Sequence, residues 1–364
     1  MKVAVDCYEV KRPMTGVGRV TSNLLIEIAE IMPEDEFHAL SREKNRGYKK
    51  TNIIQHIVLP DNGYFRWQNG PFRKRLKAIR PDILIASNYT LPIYSPYTSV
   101  LIEYDVSFIS HPEWFPRRET IKKHLLVQRS VKKADRIVTG SDFSKDEILK
   151  YFHISPQKVK VIQLGSDAIF SKSSAGEIER WKENKGLKGK KIVGFLGSIF
   201  NRRHIPELVD AVRLLREEFP EVFLYVIGKD LTYPPQNIPQ LLDKEWILWE
   251  SGILDDELPV FFSSLDLFAY LSEYEGFGLP PLEALSCGTI PVLLNRTSLK
   301  EVYSNIAFMV DHPDVKAVKN TLKAALIEVK EREEILVRFK KIKPRFSWRK
   351  AAEDMSVLLK KLCD

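Results

Sequence analysis

Apolar residues in this chain fall in short runs separated by stretches of helical period, the alternation that builds a parallel α/β protein. In the first half the runs Lys2 to Asp6, Phe37 to Leu40, Ile53 to Leu59, Pro81 to Ala86, Val100 to Ile102, Ala134 to Thr139 and Lys158 to Gln163 predict strands. The second half repeats the pattern at Lys191 to Leu196, Val222 to Ile227, Trp246 to Trp249, Leu265 to Leu271 and Thr289 to Leu294. Between them lie helical patterns. Leu24, Leu25, Ile28 and Ile31 share one face over Val20 to Ile31, and Phe72, Leu76 and Ile79 share another. A helix through Leu125, Leu126 and Val131 follows, then one capped by Ser141, one from Pro206 to Phe219, a long charged one from Lys316 to Val337, and a last one over Phe346 to Leu362. Gly165 to Gly186 lacks a strong apolar period and reads as a linker.

Length turns this into two domains, because 364 residues exceed what one core usually serves. Three cysteines, Cys7, Cys287 and Cys363, stand far apart without metal-ligand spacing, which predicts reduced thiols, a cytoplasmic setting and no structural zinc. No apolar run is long enough to span a bilayer, and the chain enters its first strand without a signal-peptide pattern. The charge is uneven. Residues 1–175 hold 28 Lys and Arg against 19 Asp and Glu, whereas residues 176–364 hold 28 against 29. A basic amphipathic stretch, Arg73 to Arg80, with Tyr64, Phe65 and Trp67 just upstream, could lie on the inner face of an anionic membrane. The place of the stripe just before a strand favours packing on its own sheet, and the two readings are compatible. Nucleic acid is not an expected partner.

The densest chemistry runs from Ser272 to Tyr303. After the buried strand, Glu275 and Glu283 bracket a loop holding Gly276, Phe277, Gly278, Leu279 and two prolines. The glycines let backbone N–H groups approach a ligand, and the prolines suit a helix start, which places Glu283 in a first helical turn. Such loops lie at the carboxyl ends of parallel strands, where ligands bind, and two acceptor-only carboxylates there suit a polyhydroxyl ligand, as in a sugar nucleotide. Upstream, Gly197 and Ser198 end a strand and lead through Arg202 and Arg203 into a helix, an arrangement that cradles phosphate with N–H groups and guanidinium forks. Gly16 and Gly18 open the first helix in the same manner. They do not make a dinucleotide fingerprint, since Thr21 stands where the third glycine would be.

The stretch Ser272 to Ala284 resembles the S-x-x-E-G-F-G-L-P-x-L-E-A signature of retaining glycosyltransferases of family 4, the GT-B type. The G-V-G-R loop, the arginine-pair loop and the segment from His111 to Ile148 resemble the family in the same order. The resemblance implies two Rossmann-like α/β domains facing each other across a cleft: residues 1–175 for the acceptor, 176–345 for the donor, and a final helix, 346–364, crossing back. It implies a donor of the UDP- or GDP-sugar kind, a glycan or lipid-linked acceptor, no cofactor and no metal, there being no Asp-x-Asp motif. It places Glu275, Gly276, Phe277, Gly278, Leu279 and Glu283 on the donor, Ile253 in the base loop, Gly197, Ser198, Arg202 and Arg203 on the diphosphate, and Gly16 and Gly18 opposite. Glu275, Arg203 and Asp105 become the candidate catalytic residues. Where relatives commonly carry His-Asp this chain has Tyr104-Asp105, and His204 stands near the usual lysine. A sugar-nucleotide epimerase, a phosphorylase or a non-catalytic subunit on the same fold are the competing readings.

Overall fold

A computed structural model describes residues 1–11, 14–45, 47–48, 52–59 and 62–363. The chain divides into two compact units, one made of Met1–Pro112, Arg117–Gly165 and Arg345 onward, the other of Glu113–Pro116 and Ser166–Pro344.

The first unit is built on seven strands: β1 (Lys2–Asp6), β2 (Glu36–Ser41), β3 (Ile53–Ile57), β4 (Ile83–Ala86), β5 (Thr98–Ile102), β6 (Arg136–Thr139) and β7 (Val159–Val161). Their order is β3-β2-β1-β4-β5-β6-β7, and every pairing is parallel. Runs such as Ile83–Ala86 are buried at every position because helices cover both faces of the sheet. The helix Gly16–Ile31 buries Leu24, Leu25 and Ile28, and it packs against the final helix, Trp348–Cys363. Ile31 of the expected stripe is only half-buried.

The second unit carries β8 (Lys191–Leu196), β9 (Val222–Ile227), β10 (Ile247–Glu250), β11 (Leu267–Tyr270), β12 (Ile290–Leu294) and β13 (Phe308–Val310), again all parallel, in the order β10-β9-β8-β11-β12-β13. In each unit the first strand sits inside the sheet, and the chain fills one side before crossing to the other. The switch points are therefore β1/β4 and β8/β11, where loops diverge and leave room for a ligand.

Four expectations change. The long charged helix is two, Val315–Ile327 and Val329–Ile342, broken at Glu328, whose backbone turns to φ −83°, ψ 72°. The linker holds a helix, Ala175–Asn184, begun by a capping box between Ser174 and Glu177 and anchored by buried Trp181. Leu125 is 61 % exposed, and Val127 and Val131 are what their helix buries. Trp67 is fully buried with its indole N–H donated to the Val58 carbonyl at 2.8 Å, so it is no interfacial aromatic. Phe72 and Leu76 are buried too, leaving Lys74, Arg75, Lys77 and Arg80 outward. No helix among the described residues is long and apolar enough to cross a membrane.

Candidate functional site

The second unit brings Gly197, Ser198, Arg202, Arg203 and Glu275 together at the β8/β11 switch point. At the end of β8, Gly197 takes φ 137°, and a Cβ there would stand 2.2 Å from Arg203 Nη1. At Gly228, the end of β9, a Cβ would stand 1.9 Å from the Gly197 carbonyl oxygen. Only glycine fits either position. The short turn Asn201–Arg203 then brings Arg203 back beneath the loop, where Nη1 donates to the Ser198 carbonyl at 2.9 Å. Arg203 is buried, and its Nε–H has no hydrogen-bond partner among the described residues. Arg202 lies against aromatic rings, its guanidinium carbon 4.2 Å from the Phe200 centroid and 5.6 Å from that of Trp114.

Three links tie this turn to the loop after β11. Glu273 N–H donates to the Arg202 carbonyl at 2.9 Å. Arg203 Nη2 donates to Glu275 Oε1 at 3.1 Å. His204 Nε2 meets Glu273 Oε1 at 2.9 Å while its Nδ1 lies 3.2 Å from Glu207. Burial lowers the pKa of His204, but the hydrogen bonds to Glu207 and Glu273 outweigh it and carry the ring up to about 9. His204 is thus a cation neutralised by two carboxylates, and a place near the usual lysine does not make it a free phosphate ligand.

Glu275 is the centre of the cluster. Besides Arg203, its Oε1 accepts from Tyr270 Oη at 2.9 Å and from Ser272 Oγ at 2.8 Å. Beyond it Phe277 is buried, and Gly276 is half-buried. Gly278 turns left-handed at φ 89°, caps the helix Leu279–Ser286, and its carbonyl accepts from Tyr303 Oη at 2.6 Å. Glu283 belongs to the second turn of that helix rather than the first, because the helix begins at Leu279, ahead of the prolines. It is also buried, at 4 % exposure. Ile253 is half-buried in the loop after β10. Glu273 and Tyr270 were missed by sequence reasoning, although Y-x-S-x-x-E, with the tyrosine and serine two positions apart, was there to be read.

In the first unit Thr15 caps the helix Gly16–Ile31 by accepting from Gly18 N–H at 3.1 Å. Gly18 stands against the Glu9 carbonyl, 2.2 Å from where a Cβ would be, whereas Gly16 is open. Asp105 lies past β5, with Oδ1 accepting from Ser107 N–H and Oγ at 2.9 and 2.6 Å and Oδ2 near Tyr89 Oη at 3.3 Å. Its neighbour Glu103 is fully buried, and neither carboxyl oxygen has a partner among the described residues. Burial pushes its pKa well above the ordinary carboxylate range, Lys123 opposing and Asp105 adding to the rise. Among the described residues no group of three or more His, Cys, Asp or Glu is placed to hold a metal ion.

Two family models match in tandem: Glycosyltransferase Family 4 over residues 14–168 and Glycosyl transferases group 1 over residues 177–341. The chain belongs to the family 4 glycosyltransferases of GT-B type. Among curated relatives, this glycosyltransferase is 25 % identical to O-antigen chain mannosyltransferase B of Escherichia coli, with 96 % of each chain covered. It is 25 % identical to the serotype-specific mannosyltransferase WbdA of Escherichia coli over 96 % of this chain, spanning 46 % of that longer protein. Among solved structures it superposes on Anabaena HepE in complex with UDP-glucose with a TM-score of 0.78 at 17 % identity, covering 99 % of this chain and 100 % of that one. WaaG, a glycosyltransferase involved in lipopolysaccharide biosynthesis, gives 0.77 at 16 % identity, with 98 % and 99 % covered. At these identities the structural matches speak for the fold.

Proposed function

We propose that this glycosyltransferase transfers a sugar, with retention and without a metal, from a nucleoside diphosphate sugar held by the second unit to a glycan or lipid-linked acceptor held by the first. The observation that carries the reading is the β8/β11 switch point, where a glycine loop, two arginines and a fixed carboxylate converge. Departure of the diphosphate concentrates negative charge, so the loop N–H groups with Arg202 and Arg203 stabilise the transition state more than the ground state. Oε1 of Glu275 is taken by three protein donors, which leaves Oε2 for a hydroxyl of the transferred sugar. Glu283 serves the ribose, and Ile253 lines the base. Asp105 orients a hydroxyl of the acceptor, and Gly16 and Gly18 serve as backbone N–H donors at the start of the first helix. The mannosyltransferase names of the relatives favour a mannosyl donor. UDP- and GDP-sugars remain the two donor classes to compare.

A peripheral contact with an anionic membrane fits the basic first unit, and the helix Arg117–Lys133 supplies its apolar side. Ile121 and Leu125 stand exposed one turn apart there, among exposed Arg117, Arg118 and Lys122. Transfer from UDP- and GDP-sugars to a mannose-terminated oligosaccharide, followed by NMR of the product anomer in the presence of EDTA, tests the catalytic reading. One nucleotide should support transfer with the donor's anomeric configuration kept. An inverted product, or activity lost to EDTA and restored by magnesium or manganese, would overturn it.

A further inference from the structure

Tyr270 and Ser272 do not touch the nucleotide in the reading above, yet they fix the carboxylate on which it depends. Tyr270 is the last residue of β11 and Ser272 lies two positions on, the interval at which an extended chain returns side chains to one face. Both are buried, at 1 % and 0 % exposure. The Tyr270 ring is stacked against Phe195 and Phe268, with centroids 6.0 and 5.8 Å away and interplanar angles of 18° and 20°, so its hydroxyl has one available position. The Arg203 guanidinium carbon lies 4.9 Å from the same ring's centroid. The three donors thus come from two directions onto one oxygen: the tyrosine and serine from the core side of the strand end, the arginine from the phosphate loop.

We infer that Tyr270 and Ser272 are positioning residues for sugar transfer, holding Oε1 of Glu275 so that Oε2 is fixed toward the transferred sugar while Arg203 stays under the Gly197–Ser198 loop. The inference rests on the role proposed for Glu275. Two donors from a packed strand end cannot follow the carboxylate if it swings, so their removal frees the carboxylate's rotation without opening the core. Burial also holds the Tyr270 phenol well above its ordinary pKa, so it remains a donor across the working pH range.

A double-mutant cycle separates this from a merely structural role. Tyr270→Phe keeps the ring stack and removes one donor; kcat at saturating donor should fall about tenfold, the size expected for one hydrogen bond to a charged group, while the affinity for free nucleoside diphosphate and the thermal midpoint stay near wild type. Ser272→Ala should behave alike, and Ser272→Thr, which restores the hydroxyl, should recover most of the loss. In a Glu275→Gln background, itself strongly impaired in kcat, Tyr270→Phe should change kcat by less than about twofold, because the group it acts through is gone. Wild-type kcat for Tyr270→Phe, or its full effect persisting on Glu275→Gln, would overturn the positioning role with the assignment of Glu275 intact. Wild-type kcat for Glu275→Gln would instead overturn that assignment, and the inference with it.

Discussion

Two acidic side chains stand just past strand ends, one in each unit, and they are treated oppositely. Glu275, after β11, is met by three donors on a single oxygen. Glu103, directly after β5, is fully buried and meets none among the described residues. Donors offset the cost of burying a carboxylate, whereas one buried without them takes up a proton or costs stability. The second unit therefore holds its central carboxylate in place without a ligand, the condition for electrostatic preorganisation, and leaves the buried Arg203 Nε–H over. The first unit leaves part of its polar chemistry unanswered, beside Asp105 and the tyrosines Tyr89 and Tyr104.

Breaking the side that holds its carboxylate should give the larger effect. Arg202→Ala combined with Arg203→Ala removes both guanidinium groups from the loop after β8 and one donor from Glu275. At about 1.5–3 kcal/mol for each charged hydrogen bond, nucleoside diphosphate binding should weaken by roughly 100-fold or more. Calorimetry with UDP and GDP measures it, and unchanged affinity would remove the arginines from the cradle. Glu275→Gln in the same assay should bind the free nucleotide nearly as wild type does, since Glu275 is assigned to the sugar.

The unanswered side should respond with a gain. Glu103→Leu replaces an orphaned buried carboxyl by an apolar group of similar size, and stability near neutral pH should rise by about 1–2 kcal/mol. The sign with pH follows from the raised pKa of the folded state. The folded chain keeps the Glu103 proton at pH values where the unfolded chain has released it, so wild-type stability falls as pH rises above the ordinary glutamate value. The advantage of the leucine variant should accordingly shrink on acidification toward pH 4. Urea titrations at pH 4.5 and 7.5 read both numbers, and a less stable Glu103→Leu at pH 7.5 would mean that the carboxyl has a partner in solution.

The strand framework and the order of the motifs were legible because they depend on local pattern. Lys191–Leu196 and Val222–Ile227 have the bounds that the apolar runs predict, and Ser141 caps the helix it was expected to cap. What escaped depended on partners distant in sequence. Nothing near Glu273 announces His204, 69 residues away, and nothing near Tyr270 marks its hydroxyl as a donor to Glu275 rather than one more core aromatic. The burial of Trp67 is set by the Val58 carbonyl and by Tyr8 and Phe72 rings around it, which a basic amphipathic stretch read alone cannot reveal. Strand β13 is three residues long, too short for its period to show against neighbouring helices.

The smallest effect, and the one most sensitive to pH, concerns the histidine that ties the two loops of the second unit together. His204 has its folded-state pKa raised to about 9, against roughly 6.5 when unfolded. A raised pKa means the folded state binds the proton more tightly, so the ion pairs with Glu207 and Glu273 contribute fully below about pH 6.5 and are lost as pH climbs through 9. The shift alone would correspond to about 3 kcal/mol, and solvent reaching the edge of the ring reduces this to roughly 1–2 kcal/mol. His204→Gln should therefore lower stability by that amount at pH 6 and by far less at pH 10, where the wild-type ring is neutral too. Because Glu273 N–H also holds the Arg202 carbonyl, the variant should weaken nucleotide binding at pH 6 by a few-fold at most, the backbone link remaining in place. Chemical denaturation of both proteins at the two pH values decides the matter: an equal destabilisation at pH 6 and pH 10 would show that His204 acts through its shape and not its charge.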